Sequence, residues 1–141
     1  MSTARPRVAG VVLLRTDDGA ALLQHRDDKP GLPHAGLWVP PGGHCESGES
    51  LRACAHREFL EETAYDCGNL RLLDEIDVDD VRHSPPIRLT VFWDVYDGRQ
   101  PVECREGQAL EFVPRSVVPN LKMPEYLVDL WDRALDAWRT S

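Results

Sequence analysis

The chain has 141 residues, of which 42% are hydrophobic and 28% are charged, and its net charge at pH 7 is -8. This composition is typical of a globular protein and excludes fibrous and disordered classes. The excess of carboxylates argues against binding of long nucleic acid, because contact with its phosphate backbone needs a concentrated basic surface. We therefore expect one domain over residues 1–141, whose partner is a small molecule and not a long nucleic acid.

The hydrophobic residues are too dispersed for a membrane segment. No stretch approaches the roughly 18 uninterrupted apolar residues that span a bilayer, and the N-terminus lacks the apolar run of a secretory signal. We therefore expect a cytoplasmic protein with no membrane partner. The four cysteines, Cys45, Cys54, Cys67 and Cys104, contain no CxxC pair. This spacing and a reducing compartment predict free thiols. The oligomeric state stays open, with a homodimer among the alternatives.

The first half of the chain predicts a hairpin, a long loop and a helix. Residues 7–15 are rich in β-formers, the turn sequence TDDG follows, and residues 20–26 continue as a second strand. Glycine and proline punctuate residues 27–50 and leave room only for a short strand at Trp38 and Val39. Good helix formers then occupy residues 50–64, and Ser50 is placed to cap the helix.

The second half predicts three strands and a second helix. Residues 69–78, 87–98 and 109–114 alternate apolar and polar side chains as strands do. Residues 123–138 follow the helical apolar pattern, with Pro124 in the first turn. The apolar side of this helix comprises Leu127, Leu130, Trp131, Ala134, Leu135 and Trp138. The order of elements predicts an α+β fold with helices packed on a sheet.

Three glutamates share one face of the first helix. In the segment HREFLEETAY, Glu58 lies three residues before Glu61 and four before Glu62, so the carboxylates are neighbours and repel one another. They occupy a different sector from the apolar residues, and we expect the acidic face to be separate from the packing face. Glycines precede the helix. Carboxylates and a closely approaching backbone carbonyl are the ligands that Mg²⁺ or Mn²⁺ takes.

Residues 43–65 resemble the Nudix box, which places specified glycine, glutamate, arginine and apolar residues at fixed spacing. The matching positions are Gly43, Glu49, Arg57, Glu58, Phe59, Glu61, Glu62 and Tyr65. The sequence departs from the pattern at Ala64, where the family has glycine. The resemblance is to MutT-like members, and it implies an α/β/α sandwich in which the catalytic helix and a C-terminal helix pack on a mixed sheet.

The resemblance also implies roles for individual residues. In the family, the glutamates at the positions of Glu58, Glu61 and Glu62 hold divalent ions, and the carbonyl at the position of Gly42 often completes the metal shell. The pair matching Glu49 and Arg57 braces the loop against the helix, with an ordinary exposed salt bridge as the alternative.

A further glutamate is implied outside the box. The segment REGQALEFVP resembles the Glu-Gly-Gln turn of MutT-type members, in which the residue matching Glu106 serves as base or extra metal ligand. Glu103 or Glu111 could fill the role instead, and a loop glutamate without such a role is the remaining alternative.

Four residues are candidates for contact with the substrate. Gly43 stands at the entrance of the catalytic helix, and Trp38 faces either a base or the core. Residues 117–123 precede the last helix, where Asn120 and Met123 contact the base or serve only in loop packing.

The activity implied by the resemblance is Mg²⁺-dependent hydrolysis of a nucleoside diphosphate linked to another group, with Mn²⁺ as the alternative ion. Within that class, the Glu-Gly-Gln turn and the short chain resemble enzymes that cut a nucleoside triphosphate, in some cases a modified one, to monophosphate plus pyrophosphate. The alternatives are a nucleotide-sugar or ADP-ribose-type diphosphatase, a nucleotide-binding module that does not hydrolyse, and an RNA-decapping hydrolase. The acidic balance of the chain counts against the last.

Overall fold

The computed structural model describes residues 5–79 and 85–141, and the following elements lie within them. The strands are β1 (Arg7–Leu14), β2 (Ala21–His25), β3 (Trp38–Val39), β4 (Gly42–His44), β5 (Arg71–Val78), β6 (Ile87–Val95) and β7 (Ala109–Val113). The α-helices are α1 (Leu51–Thr63) and α2 (Glu125–Arg139), and a 3-10 helix spans Arg115–Asn120. The predicted strands and both predicted helices are confirmed, with ends that differ by a few residues.

The strands form one mixed sheet. Its main path runs β3-β2-β1-β6-β5, while β4 pairs with β1 and β7 pairs with β2. The pair β1 and β6 is parallel, and the other pairs are antiparallel. The mixed sheet predicted from the resemblance is therefore confirmed.

The central strand β1 is buried on both faces, because successive side chains of a strand point to opposite sides. Val11 and Leu13 belong to the core that contains Phe59 of α1. Val12 and Leu14 belong to the core on the other face, which contains residues of α2. The two helices thus cover opposite faces of the sheet, and the predicted α/β/α sandwich is confirmed.

The apolar side of α2 follows the predicted pattern. Its buried residues are Leu127, Leu130, Trp131, Ala134 and Leu135, while Trp138 is half-buried. The indole Nε1 of Trp131 donates to the carbonyl of Gly19 at 3.0 Å, which satisfies the polar atom of a fully buried ring. Pro124 is the residue just before the helix and not part of its first turn.

Two short elements were not predicted. Strand β4 has the sequence Gly-Gly-His, and the 3-10 helix contains Pro119, so neither carries a strong local preference. Strand β4 exists because its backbone pairs with β1, with Ala9 opposite Gly43 and Gly10 opposite Gly42. A Cβ at Gly42 would overlap the backbone of Ala9, so only glycine permits this close approach.

The prediction of four free thiols is wrong for two of them. Cys45 and Cys54 form a disulfide, with their Cα atoms 5.2 Å apart. The loop after β4 turns back along α1, which brings together two cysteines that show no sequence signature of pairing. Cys67 is a buried free thiol and Cys104 an exposed one.

Among residues 5–79 and 85–141, no helix is long and apolar enough to cross a membrane.

Candidate active site

Helix α1 begins and ends as its sequence suggests. The Ser50 hydroxyl accepts the backbone N–H of Ala53 at 3.1 Å, which confirms Ser50 as the N-cap. The helix ends at Ala64, whose φ of 66° lies in the left-handed region. A Cβ makes this conformation unfavourable, so the departure from glycine carries a conformational cost at the helix exit.

Arg57 fastens the loop before α1 to the helix. Its Nε donates to Glu49 Oε2 at 2.7 Å and its Nη2 to Glu49 Oε1 at 2.9 Å. The same Nη2 donates to the carbonyl of His44 at 3.3 Å. This two-point hydrogen-bonded pair lowers the pKa of the Glu49 carboxyl to about 2, and the backbone N–H of Glu46 adds to the effect. The bracing predicted for Glu49 and Arg57 thus has the expected geometry.

Arg57 also contacts two of the helix glutamates. Its Nη1 donates to Glu58 Oε1 at 2.8 Å and approaches Glu61 at 3.4 Å. Glu58 is half-buried beside Gly43, where a Cβ would overlap its carboxylate, whereas Glu61 is exposed. Part of the repulsion among these carboxylates is therefore offset by one guanidinium.

Glu62 contradicts the prediction that the acidic face is separate from the packing face. Its side chain is only 7% exposed. The carboxyl Oε2 accepts the backbone N–H of Gly42 at 3.0 Å, so α1 contacts β4 through this glutamate. Helical periodicity alone missed this, because a loop and a strand that lie far apart in the sequence cover the position.

Glu106 lies against Glu62, although the two residues are distant in sequence. Burial, the adjacent Glu106 carboxyl and, less strongly, Glu58 raise the pKa of Glu62 well above its usual range, and the Gly42 N–H partly offsets this. The loop that carries Glu106 is attached to the end of α1, where the N–H of Arg105 donates to the carbonyl of Glu62 at 3.1 Å. Glu103 also lies near the end of α1, because its backbone N–H donates to the carbonyl of Thr63. Glu111 is exposed on β7.

The carboxylate and carbonyl oxygens of this site have the chemistry that a hard divalent cation needs in its ligands. The carboxylates of Glu58 and Glu62 lie beside β4, which carries the Gly42 carbonyl, and oxygen ligands of this kind suit Mg²⁺. Glu62 is buried and the adjacent Glu106 is exposed, and a bound cation would offset the repulsion between their like charges. Among the described residues, no three acidic, histidine or cysteine side chains converge on one point, since Glu58 and Glu61 are turned towards Arg57.

A cleft opens beside these carboxylates. It has a volume of about 240 Å³ and includes both glycines of β4, Gly42 and Gly43, in its wall. Strands β1, β3 and β6 contribute apolar residues to the lining, among them Val8, Val39 and Leu89. The predicted contact residue Gly43 therefore lies between the cleft and the Glu58 carboxylate.

The other predicted contact residues do not line this cleft. Trp38 stacks on His25, with ring centroids 4.6 Å apart, and is partly buried against the core under α2. Met123 packs against that same core. Asn120 is exposed at the end of the 3-10 helix. Trp38 and Met123 thus both contact the core under α2, and a contact of either residue with a base stays a prediction.

Two polar residues of the cleft were not identified from the sequence. Arg26 and Tyr126 come from the end of β2 and the first turn of α2, so only the fold brings them together. The Nε of Arg26 is buried and, within the described residues, has no hydrogen-bond partner. Burial raises the pKa of Tyr126, and the charge of Arg26 partly offsets the effect. No spacing rule in the sequence marks this pair.

The box, the sheet and the carboxylates agree with one family. The sequence model of the NUDIX domain matches residues 4–131 of the chain. The chain belongs to the Nudix family of hydrolases. The Nudix hydrolase YvcI of Bacillus subtilis (strain 168) is 36% identical over 115 residues, which make up 79% of this chain and 68% of that protein. Nudix hydrolases act on nucleoside diphosphate derivatives and generally use divalent metals.

Solved Nudix structures share the fold. The MutT Nudix hydrolase of Burkholderia pseudomallei superposes with a TM-score of 0.79 at 21% identity, covering 94% of this chain and 98% of that one. The Nudix domain of NrtR from Shewanella oneidensis, solved with ADP ribose, gives a TM-score of 0.78 at 20% identity, covering 97% of this chain and 90% of that one. At these identities the likeness establishes the fold alone.

Proposed function

We propose that this Nudix protein is a Mg²⁺-dependent pyrophosphohydrolase, a single domain over residues 1–141 that cuts a nucleoside triphosphate to a nucleoside monophosphate and pyrophosphate. The observation that carries the proposal is the meeting of Glu62 and Glu106 beside Gly42, which is also a lining residue of the cleft. A substrate whose nucleoside fills the cleft would lay its phosphates over this group of oxygen ligands.

The carboxylates have two different roles in this proposal, metal binding and proton transfer. Glu58, Glu61, Glu62 and the Gly42 carbonyl would hold the ion, which, when bound, supplies positive charge at the phosphates and acidifies a water molecule. Glu106, next to Glu62, would accept the proton of the attacking water. Arg57, held by Glu49, would keep the helix and the preceding loop in register.

The cleft supports a substrate with one nucleoside. Its volume of about 240 Å³ lies below the range of roughly 300–1,000 Å³ common for drug-sized ligands. The apolar walls suit the faces of a base, and the buried Nε–H of Arg26 would donate to an acceptor on the substrate. A nucleotide sugar or an ADP-ribose-type compound, with a bulky group at both ends of its diphosphate, fits this cleft less well.

Product analysis tests the proposal. The purified protein with Mg²⁺ would be incubated with ordinary and oxidised nucleoside triphosphates, nucleotide sugars and ADP-ribose, and the products separated by ion-exchange chromatography. We expect pyrophosphate and one nucleoside monophosphate from a triphosphate, and no product from the Glu62→Gln variant. Omission of Mg²⁺, with Mn²⁺ added back in a parallel reaction, checks the metal requirement.

Other results would contradict the proposal in distinct ways. Turnover of only the sugar-linked or ribose-linked diphosphates would replace the substrate class and keep the hydrolase. Nucleotide binding with no turnover of any compound would favour a non-catalytic binding module. Activity on capped RNA that declines steeply with salt would favour a decapping enzyme, because binding to a long phosphate backbone weakens as salt rises.

A further inference from the structure

Gln24 is a buried polar residue that follows three apolar residues of β2. The preceding residues of β2, Ala21, Leu22 and Leu23, are fully buried, and Gln24 itself is only 1% exposed. A buried amide is unfavourable unless its polar atoms find partners, so its presence in this position needs a specific partner.

The partner of Gln24 is the backbone of the candidate base. The Gln24 Nε2 donates to the carbonyl of Glu106 at 3.1 Å. The exposed thiol of Cys104 lies 3.4 Å from the same carbonyl, but a thiol is a weak donor. The amide of Gln24 is therefore the stronger of these two side-chain contacts to the Glu106 carbonyl.

The turn that contains Glu106 is seated closely on the end of β2. Gly107 has a φ of +83°, and a Cβ there would lie 2.6 Å from the carbonyl oxygen of His25. The N–H of Gln108 donates to the same carbonyl at 2.8 Å. These contacts attach the turn to the end of β2. The hydrogen bond from the Arg105 N–H to the Glu62 carbonyl attaches it to α1.

We propose that Gln24 is a positioning residue, which holds the Glu106 backbone so that its carboxylate stays beside Glu62. The inference rests on the proposed function, in which Glu106 accepts the proton of the attacking water. Proton transfer requires hydrogen-bond reach between base and water, so a turn that shifts by about 1 Å would lower the rate strongly. Gln24 touches no substrate in this arrangement and acts only through Glu106.

The test is a double-mutant cycle of Gln24→Met and Glu106→Gln. Methionine has a similar length and apolar character but cannot donate a hydrogen bond. We expect Gln24→Met to lower kcat by about 10- to 100-fold with little change in KM. In the Glu106→Gln background, the same change should lower kcat by less than about 2-fold, because the group that it positions is already absent.

Gln100→Met is the matched control. The Gln100 amide also donates to a backbone carbonyl, that of Asp66 at 3.0 Å, but it lies at the far end of the segment that leads to Glu106. We expect it to leave kcat within about 2-fold of wild type. Thermal unfolding of each variant reports folding separately from catalysis.

Gly107→Ala displaces the same turn while the Gln24 amide is retained. Its added Cβ would push the turn away from the His25 carbonyl, so it should reproduce the kcat loss and the same lack of additivity with Glu106→Gln. If Gln24→Met does not fold, Gly107→Ala decides whether the position of the turn matters for the rate.

The outcomes separate this inference from the proposed function. Equal fold-losses of kcat in the wild-type and Glu106→Gln backgrounds would overturn the positioning role, as would a kcat for Gln24→Met equal to that of wild type. Failure of the proposed function looks different: either wild type turns over no nucleotide, or Glu106→Gln retains the full kcat.

Discussion

The buried carboxyl of Glu62 accepts the backbone N–H of Gly42 at 3.0 Å, and this contact joins α1 to β4, the strand that borders the cleft. One side chain thus has a structural and a proposed chemical task. An amide at this position can still accept the N–H through its oxygen, while it loses the negative charge that a metal ion needs. The two tasks can therefore be separated by substitution.

Glu62→Gln should keep the fold and lose the activity. We expect kcat to fall by about 100-fold or more, because charge neutralisation at the phosphates contributes several kcal/mol to such reactions. The thermal unfolding temperature without metal should stay near that of wild type, and added Mg²⁺ should raise it in wild type more than in the variant. A variant with a near-normal rate would remove this part of the helix from the mechanism.

Glu49→Gln should change the pH dependence of stability. The folded-state pKa of Glu49 lies at about 2, below its unfolded value, so its ionic contact stabilises the fold above the unfolded pKa and fades as the pH falls towards 2. Urea unfolding should thus find the variant less stable than wild type near neutral pH, with a difference that shrinks in acid.

Glu46→Gln provides the comparison for that experiment, because Glu46 lies on the same loop and is exposed. The difference between this control and wild type should be small and nearly constant with pH. If the stability difference for Glu49→Gln were equally constant, the hydrogen-bonded pair with Arg57 would not be the source of the stabilisation.

Ala64→Gly should stabilise the protein and leave its rate unchanged. Ala64 has a φ of 66°, a conformation that costs a residue with a Cβ roughly 1–2 kcal/mol, and glycine avoids most of that cost. We expect the free energy of unfolding to rise by about 1 kcal/mol, measured by urea denaturation. Ala53→Gly in the same helix should lower it by a similar amount. A large gain in kcat for Ala64→Gly would contradict a role limited to the helix exit.

Reduction of the Cys45–Cys54 disulfide should destabilise the fold. The bond closes a short loop, with a sequence separation of 9, for which chain entropy suggests a loss of about 2.5 kcal/mol. Urea unfolding of wild type with and without a dithiol reductant measures the difference. Cys45→Ser, which cannot form the bond, should be insensitive to the reductant, and an equal shift in both proteins would assign the effect elsewhere.

The predictable parts of the molecule are those with a local signature. The apolar period of α2 identified Leu127 and Trp131 as core, and the fixed spacing of the box identified Glu58 and Arg57 as part of the site. The burial of Glu62 and the contact of Glu106 with it depend on how a loop returns to the helix, which helical periodicity does not encode.

The cleft illustrates the same limit. Arg26 and Tyr126 meet there because the end of β2 and the start of α2 converge in the fold. The sequence instead suggests Asn120 and Met123 as candidates, with loop packing as the alternative, and both residues lie outside the cleft lining. It leaves Trp38 open between a base and the core, and the prediction of free thiols is wrong for Cys45 and Cys54. Both the stacking of Trp38 on His25 and the pairing of the cysteines need the three-dimensional arrangement.

The parallel pairing of β1 with β6 has a consequence for synthesis of the protein. Arg7 pairs with Arg88 and Leu14 with Val95, so the central ladder joins segments that lie 81 residues apart in the sequence. During translation, β1 emerges long before β6, the strand that completes its hydrogen bonds. Until the helices that cover it have formed, the apolar side chains on both faces of β1 stay exposed. We therefore expect the nascent chain to be prone to aggregation until β6 and α2 have left the ribosome.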